Sequence, residues 1–156
     1  MTDSSDVKER TEKIIRQYAD MIYRIAFQNL KNKADAEDVF GEVCVGLLSK
    51  DVPREEPHLK HWIIRVTINK CRNIHRSPWH TKTESLTEMS EQVYEDNSDV
   101  FDALWQLPEK YRNAVYLYYY EGYTIQEISR IMGKSPNTVS SWLTRARKKL
   151  KDLLTR

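Results

Sequence analysis

The most constraining feature of this 156-residue chain is a pair of helix signals separated by a short glycine turn. Residues 124–127 (TIQE) have the pattern of a capping box, in which a threonine hydroxyl and a glutamate carboxylate accept hydrogen bonds from each other's backbone amides. Gly133 and then Ser135-Pro136 have the residue types that end one helix and begin the next. The sequence therefore predicts one helix over 125–132 and another over 136–154.

Helical periodicity extends over most of the remaining chain. Apolar residues recur at helical spacing over residues 7–30, 34–48, 59–75, 100–106 and 109–121,. Glycine (4 residues) and proline (5 residues) are sparse, which disfavours a turn-rich all-β fold,. The sequence predicts an all-α fold.

The net charge of +2 conceals an uneven distribution along the chain. Residues 1–76 carry 14 basic and 12 acidic side chains, residues 77–107 carry one and seven, and residues 108–156 carry ten and four. Serine and threonine alternate with acids over 77–99, a composition typical of a flexible linker. We therefore predict two small helical domains, 1–76 and 100–156, joined by an acidic linker over 77–99.

Composition also excludes several classes of protein. The chain has no apolar run long enough to span a bilayer, and its polar, acidic start is unlike a secretory signal,. Cys44 and Cys71 do not form a CxxC pair, so a disulfide framework is not indicated and a reducing, cytoplasmic location is expected,.

No pattern in the sequence indicates a catalytic or metal site. There is no convincing nucleophile–base pair or phosphate-binding loop, so we predict that the chain is not an enzyme. Four histidines near Cys71 lack a spacing that brings four ligands together, and we expect no metal and no cofactor. These histidines are His58, His61, His75 and His80.

The last predicted helix separates into two faces when its residues are placed at about 100° intervals. Its apolar arc holds Val139, Trp142, Leu143, Ala146, Leu150, Leu153 and Leu154, and its polar arc holds Asn137, Ser140, Ser141, Thr144, Arg147, Lys148 and Lys151. Short polar groups near the helix start suit base edges in the major groove, and the later cations suit phosphates. With the preceding helix and turn, this pattern indicates a DNA-binding helix-turn-helix. The alternative is a solvated basic helix that packs only on its own domain.

The predicted helix that begins at Leu59, taken to Arg76, carries a second polar arc, consisting of His61, Trp62, Arg65, Asn69, Arg72, Asn73 and Arg76. Cations attract the phosphate backbone, amides can recognise an exposed base edge, and an indole can stack on an unpaired base. This combination favours single-stranded or melting DNA. The alternative is a surface helix whose Trp62 is tucked into the core. Lys70 falls within the apolar arc, where its stem must snorkel to solvent.

The predicted helix over 34–48 has an acidic face, formed by Asp35, Glu37, Asp38 and Glu42. Such a face repels DNA phosphates, so it suits docking to a basic protein partner. The alternatives are a plain solvated face and a Mg²⁺ site, for which acids on one regular helix make a poor cage.

Tyrosines are concentrated before the helix-turn-helix, at Tyr111, Tyr116, Tyr118, Tyr119, Tyr120 and Tyr123. Their helical spacing favours packing in the core and at its rim over stacking on bases.

Five motifs, taken together, resemble the extracytoplasmic-function sigma factors of bacterial RNA polymerase, members of the sigma-70 family. They are DAEDVFGEV at 35–43, WIIRV at 62–66 with Asn69 and Arg72-Asn73, LPEKYR at 107–112, GYTIQEI at 122–128 and SPNTV at 135–139. They occur in the family's order and cover nearly the whole chain. The resemblance implies region 2 and region 4 helical domains joined by a flexible linker.

The resemblance also implies partners and site residues. Asp35, Glu37, Asp38 and Glu42 match the helix that docks on the coiled coil of the polymerase β′ subunit. The loop 49–60 and Trp62, Arg65, Asn69, Arg72 and Asn73 match the part that melts and recognises the minus-ten element. Ser140, Ser141, Thr144, Arg145 and Arg147 match the part that recognises the minus-thirty-five element, in a domain that also contacts the β flap. Members of this family are commonly restrained by an anti-sigma factor.

Combining both lines of reasoning, we predict a sigma factor that binds core polymerase and directs promoter recognition, strand opening and transcription initiation. The candidate duplex-binding residues are Asn137, Thr138, Ser140, Ser141, Thr144, Arg145, Arg147 and Lys148. The alternative is a stand-alone helix-turn-helix regulator with an N-terminal oligomerisation domain, which would bind DNA without polymerase.

Overall fold

The structure is a computed structural model that describes residues 4–76 and 99–155. The chain divides into two compact units, Met1–Glu91 and Gln92–Arg156. Within the described residues the regular structure is entirely helical. This confirms the predicted all-α fold. Nearly all of the predicted linker, 77–99, lies outside the described residues.

The first unit is built from three helices, α1 (Ser4–Leu30), α2 (Lys33–Gly46) and α3 (His58–Arg76). Each of them packs against the other two. Their shared core is mainly aliphatic, with the aromatic residues Tyr18 and Phe27. Its residues with at most 1 % exposure include Ile22, Ile25, Phe27, Val39, Val43, Leu47, Ile63 and Ile64. Burying each such side chain contributes about 1.5–3 kcal/mol, so this core is the main source of the unit's stability.

The break between α1 and α2 is short and is stabilised by local hydrogen bonds. Lys31 adopts the left-handed conformation (φ 56°) and ends α1, with its amide donating to the carbonyl of Phe27 over 2.7 Å. Asn32 is the N-cap of α2, and its side-chain oxygen accepts from the amide of Asp35 at 3.0 Å. The gap between the predicted helical segments 7–30 and 34–48 is therefore confirmed, although Lys33 already belongs to α2.

The second unit contains four α-helices, α4 (Asp99–Gln106), α5 (Glu109–Val115), α6 (Ile125–Met132) and α7 (Pro136–Leu154). α7 packs against α4, α5 and α6. Its core residues with no exposure include Leu117, Ile128, Val139, Leu143 and Ala146. The second unit thus has its own core, centred on α7.

The segment predicted as a helix over 109–121 is helical over almost its whole length, but only its first part is an α-helix. It is α-helical only to Val115 and continues as a π-helical turn over Tyr116–Tyr120. The amide of Glu121 bonds to the carbonyl of Tyr116 at 3.1 Å, and the Tyr116 hydroxyl donates to the Glu121 carboxylate at 2.7 Å. This i to i+5 spacing is the geometry of a π-turn, which aligns residues five apart. Gly122, with φ 78°, then ends the helix.

The helix-turn-helix forms as its sequence predicts. Thr124 Oγ1 accepts from the Glu127 amide at 3.1 Å, and Glu127 Oε1 accepts from the Thr124 amide at 3.0 Å. Gly133 caps α6 in the left-handed conformation (φ 66°), and the Ser135 hydroxyl accepts from the Thr138 amide at 3.2 Å. Both helices have the predicted bounds.

None of the helices in the described part of the chain combines the length and the apolar character needed to cross a membrane.

Candidate nucleic-acid interface

The polar face of α7 points away from the core of the second unit. Val139, Trp142, Leu143 and Ala146 are buried, whereas the opposite side exposes a set we call the duplex face. It consists of Asn137, Ser140, Thr144, Arg145, Arg147 and Lys148, which are exposed, together with Thr138 and Ser141, which are half-buried. All eight candidate duplex-binding residues therefore lie on or beside one surface.

Two details of α7 differ from the helical-wheel expectation. Leu154, placed on the packing arc, is 43 % exposed, and Leu150 and Leu153 are only half-buried. The apolar arc thus becomes more exposed to solvent towards the C-terminal end of α7. A helical wheel shows which residues share a side but not where along the helix the packing ends. Thr138 Oγ1 lies 2.9 Å from the Ser135 Oγ, so its side chain also belongs to the helix cap.

Arg147 contacts two tyrosines of the π-helical turn Tyr116–Tyr120. Its Nε donates to the Tyr119 hydroxyl at 2.6 Å, and its guanidinium carbon lies 5.7 Å and 5.6 Å from the ring centroids of Tyr118 and Tyr119. Tyr111 and Tyr116 are buried, as predicted for core tyrosines, while Tyr119 and Tyr120 are 58 % and 60 % exposed. The run of tyrosines is visible in the sequence, but residue spacing did not predict that Arg147 would contact Tyr118 and Tyr119.

The polar arc of α3 forms a second surface, the α3 stripe. Arg65, Asn69 and Asn73 are exposed, and His61, Trp62 and Arg72 are half-buried. The opposite side of the helix is buried at Leu59, Ile63, Ile64, Ile68 and Cys71. The side chain of Arg76 lies outside the described residues. Lys70 is half-buried, as expected for a lysine that snorkels,.

Within the α3 stripe, two aromatic side chains are partly covered. The Trp62 Cη2 atom lies 3.8 Å from the point where a Cβ on Gly46 would stand, so the indole packs beside the last turn of α2. His61 keeps its Nε2 atom buried. Thr67, which the wheel assigned to neither arc, is fully buried and donates to the carbonyl of Ile63 at 2.7 Å. Trp62 is therefore neither fully in the core nor free in solvent.

The loop that precedes α3 is anchored at Glu56, a residue that sequence reasoning missed. One Glu56 oxygen accepts from the Lys60 amide at 3.0 Å, and the other accepts from the buried Tyr18 hydroxyl of α1. Val52 adds an apolar anchor, being 5 % exposed. The loop is thus tied to both α1 and α3 just before the α3 stripe begins.

The predicted docking helix, α2, presents a third surface, the acidic face. Glu37, Asp38 and Glu42 are exposed and Asp35 is half-buried, while Ala36, Val39 and Val43 face the core. Burial raises the pKa of the Tyr23 hydroxyl on α1, and the negative charge of Glu37 raises it further. Residues 34–49 contain no lysine or arginine, so α2 carries no cation after Lys33.

The acidic face continues into exposed apolar side chains that the sequence did not single out. Val45 is 68 % exposed and Leu48 is 52 % exposed, three and six residues after Glu42 along the chain. Cys44 is half-buried, and burial raises the pKa of its thiol. Within residues 4–76 and 99–155, no group of three or more His, Cys, Asp or Glu side chains is arranged to hold a metal ion.

Family models and relatives decide the identity of the chain. The model for Sigma-70 region 2 matches residues 14–81, and the model for Sigma-70, region 4 matches residues 99–150. RNA polymerase sigma factor SigV of Bacillus subtilis is 30 % identical over 141 residues, which cover 86 % of this chain and 84 % of SigV. ECF RNA polymerase sigma factor SigE of Mycolicibacterium smegmatis is also 30 % identical, and the match covers 92 % of this chain and 61 % of SigE.

The chain belongs to the extracytoplasmic-function (ECF) sigma factors.

Solved sigma factors share its fold. The sigma factor RpoE, in complex with the anti-sigma factor NepR from Bartonella quintana, superposes with a TM-score of 0.77 at 20 % identity, covering 92 % of this chain and 96 % of that chain. CnrH, in complex with the cytosolic domain of CnrY, gives a TM-score of 0.69 at 20 % identity, covering 93 % and 87 %.

Membership in the ECF sigma factors settles the class of protein. Sigma factors are non-enzymatic subunits of RNA polymerase that serve in transcription initiation, as the sequence predicted. Matches to both region 2 and region 4 of sigma-70 support this class over a stand-alone helix-turn-helix regulator. The α3 stripe and the acidic face lie in the region 2 match, and the duplex face lies in the region 4 match.

Proposed function

We propose that this ECF sigma factor uses two exposed surfaces to recognise the promoter and a third to bind core polymerase. The duplex face of α7 binds the minus-thirty-five element as paired DNA, the α3 stripe and its preceding loop capture the unpaired minus-ten strand, and the acidic face of α2 docks on the β′ coiled coil. The second unit also contacts the β flap. The protein acts in the cytoplasm, and an anti-sigma factor restrains it.

The observation that carries this proposal is the composition of the duplex face. Asn137, Ser140 and Thr144 place short hydrogen-bonding groups on the first half of α7, and they are exposed. Short side chains let a helix approach base edges in the major groove, where donors and acceptors distinguish all base pairs. Arg145, Arg147 and Lys148 follow on the second half, where cations bind the phosphate backbone.

The α3 stripe supports capture of separated strands. Arg65 supplies charge, while Asn69 and Asn73 supply exposed amides, each of which can donate and accept,. Trp62 presents part of an indole at the start of the stripe, close to the Glu56-anchored loop. Stacking an unpaired base on an aromatic ring contributes about 1–3 kcal/mol, which offsets part of the cost of separating the strands.

The acidic face supports a protein partner rather than DNA. Exposed carboxylates at Glu37, Asp38 and Glu42 would repel phosphates, whereas they attract a basic helical surface and accelerate association,. Val45 and Leu48 add exposed apolar area at one end of this face. A charged rim beside apolar side chains is typical of protein–protein interfaces.

Run-off transcription tests the proposal directly. Core RNA polymerase is incubated with the full chain on a library of promoter sequences, and the transcribed templates are sequenced. We expect transcripts only in the presence of the chain, from templates that share two sequence elements at fixed spacing. Failure of the chain to associate with core polymerase or to change start-site selection would overturn the proposal.

A further inference from the structure

Arg147 makes a contact that links the duplex face to a different element of the second unit. It lies about three turns after the start of α7,. Its Nε donates to the Tyr119 hydroxyl at 2.6 Å, joining residues 28 positions apart. The guanidinium carbon also lies 5.7 Å from the Tyr118 ring centroid and 5.6 Å from that of Tyr119, within the range of cation–π attraction,.

The two tyrosines form a defined seat for this arginine. Their rings meet edge to face, with centroids 4.9 Å apart and an interplanar angle of 71°, an arrangement that aromatic quadrupoles favour,. Both residues belong to the π-turn, Tyr116–Tyr120, which contains one more residue per hydrogen-bonded turn than an α-helix,. Tyr119 is 58 % exposed, so burying it in the core is not the reason for its position.

The contact leaves the binding end of the guanidinium available. An arginine side chain has five N–H donors, and the hydrogen bond to Tyr119 uses the one on Nε,. The two terminal amino groups form a planar fork that matches two oxygens of a phosphate. Arg147 lies on the second half of the duplex face, where a recognition helix reaches the backbone rather than the base edges.

We propose that Tyr118 and Tyr119 are positioning residues that hold Arg147 ready to bind a phosphate of the promoter duplex. The inference rests on the proposed duplex-binding role of α7. A free arginine loses much rotamer freedom when it binds, and an arginine already held in place loses less. The tyrosines therefore strengthen binding without touching the DNA.

The test compares full-chain variants, each assembled with core polymerase, on a promoter duplex selected by the wild-type chain. Tyr119→Phe removes the hydroxyl and keeps the ring, and Arg147→Gln removes the charge. We expect Tyr119→Phe to weaken promoter binding about fivefold and Arg147→Gln about tenfold. The double variant should bind like Arg147→Gln alone, because the hydroxyl acts only through the arginine.

Salt dependence and a matched control give independent readouts. Arg147→Gln should reduce the slope of log affinity against log salt by about 0.9, whereas Tyr119→Phe should leave the slope unchanged since the charge remains. Tyr120→Phe removes a hydroxyl from the neighbouring exposed tyrosine, whose ring stacks on Tyr116 with centroids 5.1 Å apart, and should bind like wild type. Thermal denaturation of each variant reports any change in folding.

Two results would overturn the inference while leaving the proposed function intact. One is a Tyr119→Phe chain that binds the promoter as tightly as wild type. The other is a Tyr119→Phe substitution that weakens binding equally with and without Arg147, since that is the result of a purely structural role. A wild-type holoenzyme that selects no promoter would instead overturn the proposed function, and this inference with it.

Discussion

At the scale of single residues, two charged side chains hold the ends of helices. Arg112, 5 % exposed, donates from one terminal nitrogen to the carbonyls of Leu107 at 3.1 Å and Trp105 at 3.3 Å, at the end of α4. Glu56 accepts from the amide of Lys60 in the first turn of α3. Terminal carbonyls and amides lack partners within their own helix, so each side chain satisfies groups that would otherwise need water.

Replacing Arg112 tests its structural role. Arg112→Met keeps an unbranched apolar stem but leaves the carbonyls of Leu107 and Trp105 without this donor. We expect a loss of about 2 kcal/mol in the free energy of unfolding, the range for hydrogen bonds to a charged group. Chemical denaturation of the full chain measures it. Lys149→Met, which removes an exposed cation from α7, is the matched control and should change stability by less than about 0.5 kcal/mol,.

Trp62 tests the proposed capture of unpaired bases. Because the indole stacks only on a base that has left the duplex, we expect Trp62→Ala to impair open-complex formation about tenfold more than initial promoter binding. Chemical footprinting of unpaired thymines follows the open complex, and a filter-binding assay follows the initial one.

A conservative substitution separates stacking from packing at this position. Trp62→Phe keeps an aromatic ring beside Gly46 and should restore most of the opened fraction. Equal losses of Trp62→Ala at both stages would count against a melting role.

At the scale of elements, α2, α3 and α7 follow one rule, in which one side builds a core and the other side carries the exposed polar residues. In α2 the zero-exposure residues are Ala36, Val39 and Val43, and the carboxylates lie on the other side. The carboxylates of Asp38 and Glu42 lie at i and i+4, where like charges cost a helix a few tenths of a kcal/mol. An arrangement that weakens its own helix is consistent with selection for a docking role.

Charge reversal on α2 tests this docking role. Asp38→Lys combined with Glu42→Lys should weaken binding to core polymerase about tenfold or more, because attraction to a basic surface becomes repulsion. Both side chains are exposed, so the fold should be retained. Equilibrium binding of labelled chain to core polymerase measures the effect.

The control for charge reversal uses another helix of the same unit. Glu12→Lys combined with Asp20→Lys changes the net charge equally, at exposed positions of α1. This variant should bind core polymerase like wild type. Equal weakening by the two double variants would show that net charge, and not the acidic face, determines the affinity.

At the scale of the whole molecule, the chain combines a region 2 unit and a region 4 unit, each with its own helical core. The matched segments of both units carry candidate DNA-binding residues, and the first also carries the acidic face. A chain in which DNA-binding and protein-docking surfaces are separate suits an adaptor better than an independent repressor or activator.

Gel shift with and without core polymerase tests the adaptor role. We expect the full chain alone to bind promoter DNA weakly and without selectivity, as a short basic surface does, and to become selective when core polymerase is added. Strong, specific binding by the isolated chain, especially to palindromic sites, would instead favour a stand-alone regulator.

The linker role of 77–99 and the site roles of individual residues stay predictions. The structure places the duplex-face residues together and exposes Glu37, Asp38 and Glu42. For Trp62 the sequence left two alternatives, a stacking indole or a core residue, and the half-buried ring lies between them.

The sequence by itself determined the features that depend on neighbours within a few residues. The bounds of α6 and α7, the capping box at Thr124 and Glu127, the Gly133 turn and the Ser135 cap are all closed by hydrogen bonds spanning five residues or fewer, so local residue types suffice to predict them,. Periodicity likewise separated the buried face of α7 from its polar face, because a helix fixes which residues share a side.

Only the tertiary structure decided the contacts between elements. The Tyr18–Glu56 hydrogen bond joins residues 38 apart, and the Arg147–Tyr119 hydrogen bond joins residues 28 apart. The π-turn that carries Tyr119 and the exposure of Val45 and Leu48 likewise could not be derived from residue type. Each depends on how helices pack and where their ends lie, and a periodic pattern specifies which face is buried but not what meets it.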